Sequence, residues 1–83
     1  VDTKITTRDL GVAAALVSLG SKLSSTQKDE AGRTTFIFSY KDDQDVVNAE
    51  LAIDNYWSNH LEVDARLYFD AIKMLKSRIY GER

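Results

Sequence analysis

Neither cysteine nor proline occurs among the 83 residues, and histidine, methionine and tryptophan occur once each. Without cysteine there is no disulfide, and one histidine leaves a His/Cys-type metal centre short of ligands. A chain this long buries only roughly 60–65% of the surface its unfolded form exposes, so its margin of stability is thin. Disulfides and structural metals, the usual remedies in small scaffolds, are both missing. Packing must hold the fold, helped or not by self-association. The lack of cysteine fits a reducing compartment. No apolar run is long enough to cross a bilayer, and no charged-then-apolar leader is recognisable. The expectation is a cytoplasmic protein with no membrane partner. With no proline hinge, repeat or low-complexity stretch, residues 1–83 read as a single small domain, with 1–6 a polar lead-in and 81–83 a frayed tail.

Catalytic constellations are equally scarce. A serine triad would need His60 as its base, and His60 falls in the apolar stripe of a helix, where a packed or interfacial histidine is the simpler reading. Asp42, Asp43 and Asp45 suggest calcium, yet the central glycine and closing glutamate of an EF-hand loop are not at their positions. Helix capping accounts for these acids better. Thirteen acidic residues always contain pairs, but nothing singles out two for glycoside chemistry, and so short a chain offers little room for a cleft. Glycines 11, 20, 32 and 81 match no phosphate loop. The reading is a non-enzyme with no cofactor and no metal.

The net charge of −2 hides a segregated pattern. Residues 1–28 carry a balance of +2, residues 29–64 one of −7, and residues 65–83 one of +3. The overall sign does not favour non-specific nucleic-acid binding, but a basic surface survives at the C-terminal end.

Thr6-Thr7-Arg8-Asp9 offers two N-caps, Thr6 and Thr7, ahead of a helix from about Thr7 to Leu19, with Gly20 as its left-handed stop. Ser21 to Lys28 is polar and tolerates extension, and Asp29-Glu30-Ala31-Gly32 reads as a turn. Arg33 to Tyr40 is the clearest strand, with Thr34, Phe36, Phe38 and Tyr40 on one face. Asp42-Asp43-Gln44-Asp45 opens a second helix with carboxylates at its positive end. Its apolar stripe is Val46, Ala49, Ile53, Tyr56, Trp57 and His60. After an extended link Leu61-Glu62-Val63, Asp64 caps a third helix, on which Val63 staples to Tyr68. That helix is expected to bury Ala65, Tyr68, Phe69, Ile72, Leu75 and Ile79. The expected fold is α+β in the order α-β-β-α-α, a two-stranded antiparallel hairpin packed with three helices. A hairpin cannot stand alone in water, so Phe36 and Phe38 must face helices.

The first helix is apolar nearly all round, which normally means burial on several sides. Spare apolar residues stand elsewhere: Val47 and Leu51 on the second helix, Leu67 and Met74 on the third. Such a surplus is either harmless exposure or a partner surface, for which Val12, Leu16, Leu19, Leu67 and Met74 are the candidates. Arg66, Lys73, Lys76 and Arg78, with Arg83 beyond, are the candidate phosphate contacts. Against them, the helix macrodipole alone explains late basic residues, and Asp70 interrupts the Arg66–Lys73 side. A protein partner or homodimer is therefore expected ahead of nucleic acid.

Two stretches carry a resemblance. Thr7-Arg8-Asp9-Leu10-Gly11-Val12-Ala13-Ala14-Ala15-Leu16 through Gly20, and Tyr56-Trp57 followed by Val63-Asp64-Ala65-Arg66 and Lys73-Met74-Leu75-Lys76-Ser77-Arg78-Ile79-Tyr80, resemble a family of small bacterial and phage-associated domains of unknown function. The similarity spans Thr7 to Tyr80 and implies a standalone small domain with no assigned activity, so no functional residue can be carried over. It draws attention to the turn between the last two helices, where Tyr56, Trp57 and Arg66 form a candidate recognition pocket, since such residues dominate binding hot spots. The alternative is that Tyr56 and Trp57 are core anchors and that Arg66 pairs locally.

Overall fold

The computed structural model describes residues 2–81. Along the chain run β1 (Thr3–Thr7), α1 (Leu10–Ser18), β2 (Leu23–Lys28), β3 (Thr34–Tyr40), α2 (Asp43–Trp57) and α3 (Ala65–Gly81). Val1, Glu82 and Arg83, which belong to the expected lead-in, tail and basic cluster, lie outside the described residues.

Three strands, not two, make the sheet. Its order is β1-β3-β2, all neighbours antiparallel, with the most apolar strand in the centre. The expected polar lead-in is in fact β1, in which Ile5 pairs with Phe38 and Thr7 with Phe36. Four of its five residues are polar, but three are threonine, which suits a pleated half-exposed edge. A third strand also relieves the hairpin's central strand of an unpaired backbone edge. In β2 the register slips between Leu23 and Ser25. This bulge lets Leu23 and Thr26 share the helix-facing side, opposite Phe38 and Phe36. The other side of the sheet holds Lys4, Thr6, Ser25, Gln27, Thr35, Ile37 and Ser39, with Ile37 flanked in register by Thr6 and Ser25.

The first helix starts later than Thr7. Asp9 is the N-cap rather than Thr6 or Thr7; its Oδ1 accepts the Val12 N–H at 2.9 Å, and Thr7 Oγ1 accepts the Asp9 N–H at 3.1 Å. A charged carboxylate competes well for the positive end of a helix. At the far end Gly20 has φ 104°, as expected of a left-handed stop. The N–H groups of Gly20 and Ser21 donate to the carbonyls of Val17 and Leu16, closing a Schellman motif.

Five consecutive residues of α1, Val12 to Leu16, are buried, so the helix is covered on every side. It touches α2, α3 and β1, while α2 and α3 hardly touch each other. Alanines make this possible: Ala13 and Ala14 on α1, Ala49 and Ala52 on α2, and Ala71 on α3 are all buried, letting helix backbones approach closely. Phe36, Phe38 and Tyr40 from the sheet and Leu75 from α3 complete the core. The overall extents of 35 × 33 × 19 Å are those of two layers, helices on a sheet.

Several side chains expected inside are outside. Trp57 is 62% exposed and Phe69 58%. Ala65 is exposed as well, and His60 lies beyond the end of α2, in solvent. Gly81 closes α3 rather than fraying from it.

Candidate functional site

At the α2–α3 link an open cleft of about 520 Å³ is lined by Ala15 of α1 together with Tyr56, Trp57, Asn59, Leu61, Val63 and Tyr68. Local chemistry fixes each wall. Asp42 caps α2 by accepting the Gln44 N–H, and the helix then carries Tyr56 and Trp57 to its final turn. Asn59 follows the C-cap with φ 66°, a left-handed conformation that asparagine tolerates better than most residues. The N–H groups of Asn59 and His60 donate to the carbonyls of Tyr56 and Asn55, a second Schellman motif that turns the chain sharply. Asp64 Oδ1 accepts the Leu67 N–H at 3.0 Å and starts α3, so Val63 stands just before the cap and Tyr68 one turn inside. Both line the cleft.

The rings meet at defined angles. Tyr56 and Trp57 lie edge to face, with centroids 5.0 Å apart and planes at 88°. The Tyr56 hydroxyl sits directly over Gly11, where any Cβ would collide with it. Tyr68 Oη donates to the Gly11 carbonyl at 3.4 Å. Burial, followed by the nearby Asp9 charge and the interaction with Tyr68, raises the Tyr56 pKa above its ordinary value. Tyr56 therefore stays protonated at neutral pH. One wall of the cleft is thus a Tyr56–Tyr68 pair tied to the first turn of α1, and the other is the open face of Trp57.

A broader groove of about 800 Å³ lies between the end of α1, the end of β3 and the start of α2. There Tyr40 Oη donates to Ser21 Oγ at 2.8 Å, and burial raises the Tyr40 pKa.

Of the candidate partner residues, Val12 and Leu16 are core residues of the chain itself, so neither belongs to an open surface. Leu19, Leu67 and Met74 are exposed. Of the candidate pocket, the structure brings Tyr56 and Trp57 together but leaves out Arg66, whose Nε reaches Asp70 at 3.4 Å instead. Lys73, Lys76 and Arg78 are exposed, and the Lys73 ammonium lies 5.4 Å from the Phe69 ring centroid. Asn59, Leu61 and Tyr68 are cleft residues that sequence reading alone did not pick out. The aromatic at position 68 could have been found, because its spacing from the Asp64 cap points it back along the link.

His60 Nδ1 lies 3.2 Å from Ser58 Oγ, but both groups are exposed and no acid orients the ring among the described residues. No three His, Cys, Asp or Glu side chains among the described residues are grouped to hold a metal ion. No helix among them is long and apolar enough to cross a membrane.

Fold and site together define a small α+β domain: three helices on a three-stranded antiparallel sheet, with an aromatic cleft at one helix junction. The chain belongs to the family described as Domain of unknown function (DUF5659), whose sequence profile matches residues 2–81. No curated protein and no solved structure matches it.

Proposed function

We propose that this domain is a non-catalytic interaction module that engages protein through its helical side. One observation carries the reading. Among the described residues, every large exposed apolar side chain (Leu19, Val47, Leu51, Trp57, Leu67, Phe69, Met74 and Tyr80) belongs to the helical layer or its caps. The opposite face of the sheet offers serine, threonine, lysine and glutamine around a buried Ile37. Solvation alone would not segregate apolar surface in this way, whereas a partner surface would. The Tyr56–Trp57 cleft lies on the same side and has the aromatic content of a hot spot. A bacterial or phage setting and an intracellular location fit this reading and belong to it.

The test is photo-crosslinking in the source cell, with a photoreactive residue replacing Trp57, Leu67 or Met74, and Thr6 or Gln27 as sheet-side controls. Discrete protein adducts from the helical positions, not from the controls, are expected. Equal or absent adducts at all five positions would refute the proposal.

A second reading, nucleic-acid binding by α3, draws on the exposed Lys73 and Lys76 with Phe69 and Tyr80 beside them. It is weakened because Arg66 is paired with Asp70 and the acidic α2 side would repel a polyanion. Retardation of generic duplex DNA at low salt, lost at high salt, would support it; no retardation would retire it.

A further inference from the structure

The acidic and basic parts of the chain end up on different sides of α1. Residues 42–64, which form α2 and the link, contain seven carboxylates and neither lysine nor arginine. Residues 65–81, which form α3, contain four cations and one carboxylate, and that carboxylate, Asp70, is already paired with Arg66. On α2, the exposed residues Val47, Glu50, Leu51 and Asp54 share about 100° of the helix surface. On α3, the exposed residues Phe69, Lys73, Lys76 and Tyr80 share about 60°. Each face thus combines two large apolar side chains with two charges of one sign. None of those four charges forms an ion pair among the described residues. With α1 between them, α2 and α3 hardly touch, so one chain cannot bring its own two faces together.

We propose that the α2 face of one copy docks on the α3 face of a second copy, giving a head-to-tail assembly. This rests on the interaction-module reading and names its occupant. Apolar contact supplies the centre of the interface, and the Glu50 and Asp54 carboxylates meet Lys73 and Lys76 at its edge. Like charges disfavour α2 on α2 and α3 on α3, so the pairing selects itself. Two different patches make a heterologous interface, which propagates or closes into a ring. Four residues a side is a small contact, so the association is weak and forms only at high concentration.

Sedimentation of the full chain, from micromolar to millimolar concentration at low and high salt, tests this. Two triple variants go with it: E50Q/L51S/D54N on α2 and F69S/K73Q/K76Q on α3. All six positions are exposed, and a circular dichroism spectrum checks that each variant keeps the fold. The wild type is expected to at least double its mean mass at low salt and to lose that gain at high salt. Each variant alone should stay monomeric, with association weakened about tenfold or more. Mixed one to one, the variants should recover a dimer that grows no further, because each retains one intact face. A monomeric wild type overturns the proposal, as does association that survives either variant or a mixture that fails to pair. A monomeric wild type with specific photo-adducts to other proteins would overturn self-docking alone and leave the interaction module standing.

Discussion

At the scale of single residues, the tightest constraint is the meeting of Gly11, Tyr56 and Tyr68. A glycine inside a helix ordinarily costs about 1 kcal/mol relative to alanine, so Gly11→Ala would be expected to stabilise α1. Here the added Cβ collides with the Tyr56 hydroxyl and approaches its ring carbon. To make room the ring must give up its edge-to-face contact with Trp57 and its place beside Asp9 and swing toward the cleft. Gly11→Ala should therefore destabilise by about 1–3 kcal/mol, as overpacking does. In a Tyr56→Ala background the same change should gain up to about 1 kcal/mol. Urea midpoints of the four proteins measure the sign reversal. The tyrosines also set an alkaline limit. Both Tyr40 and Tyr56 have folded pKa values raised chiefly by burial. Their contribution is intact below the unfolded tyrosine value of about 10 and is lost as pH rises through the elevated folded values. Urea midpoints from neutral pH into that range should fall, and fall less in Tyr56→Phe. Asn59 offers a third check. With its left-handed backbone, Asn59→Gly should be neutral or slightly stabilising and Asn59→Ala should cost about 1 kcal/mol, read by thermal unfolding.

At the scale of elements, α1 and β1 teach opposite lessons. α1 depends on small side chains where other helices cross it, so Ala14→Leu should cost about 1–3 kcal/mol by urea denaturation. The burial of α1 was legible in the sequence, because a helix with apolar residues on every side has no stable alternative in water. The β2–β3 hairpin and the caps at Asp42, Asp64 and Gly20 were legible for a related reason: short-range chemistry fixes them. β1 was not. Its sequence Thr-Lys-Ile-Thr-Thr has one apolar side chain, and only the distant Phe36–Phe38 face makes it a strand. Two of the seven residues lining the cleft, the adjacent Tyr56 and Trp57, were legible too. The positions of Arg66 and Trp57 were not, because they depend on how far each helix is rotated against α1. The stripe model of α2 placed His60 inside, but the helix ends before that residue.

At the scale of the whole molecule, the two-layer build predicts where protection is greatest. Amides of α1 and β3, covered on every side or bonded on both edges, should exchange slowest with solvent. Those of β1 and of the last turn of α3 should exchange fastest among the regular elements. Mass-spectrometric hydrogen exchange resolves the difference, and uniform protection across the sheet would contradict it.

The strand order β1-β3-β2 carries one further consequence. β1 and β2 run parallel to each other, joined through α1, and the strand that separates them is the last of the three to be made. Within this sheet β1 therefore has no neighbour to pair with until β3 has been synthesised. Closing that gap costs more chain entropy than closing the local hairpin does. Of the three strands in this sheet, the first to be synthesised is the last to dock. Ile5→Ala should accordingly accelerate unfolding while leaving the refolding rate nearly unchanged, and substitutions in the β2–β3 hairpin should slow refolding.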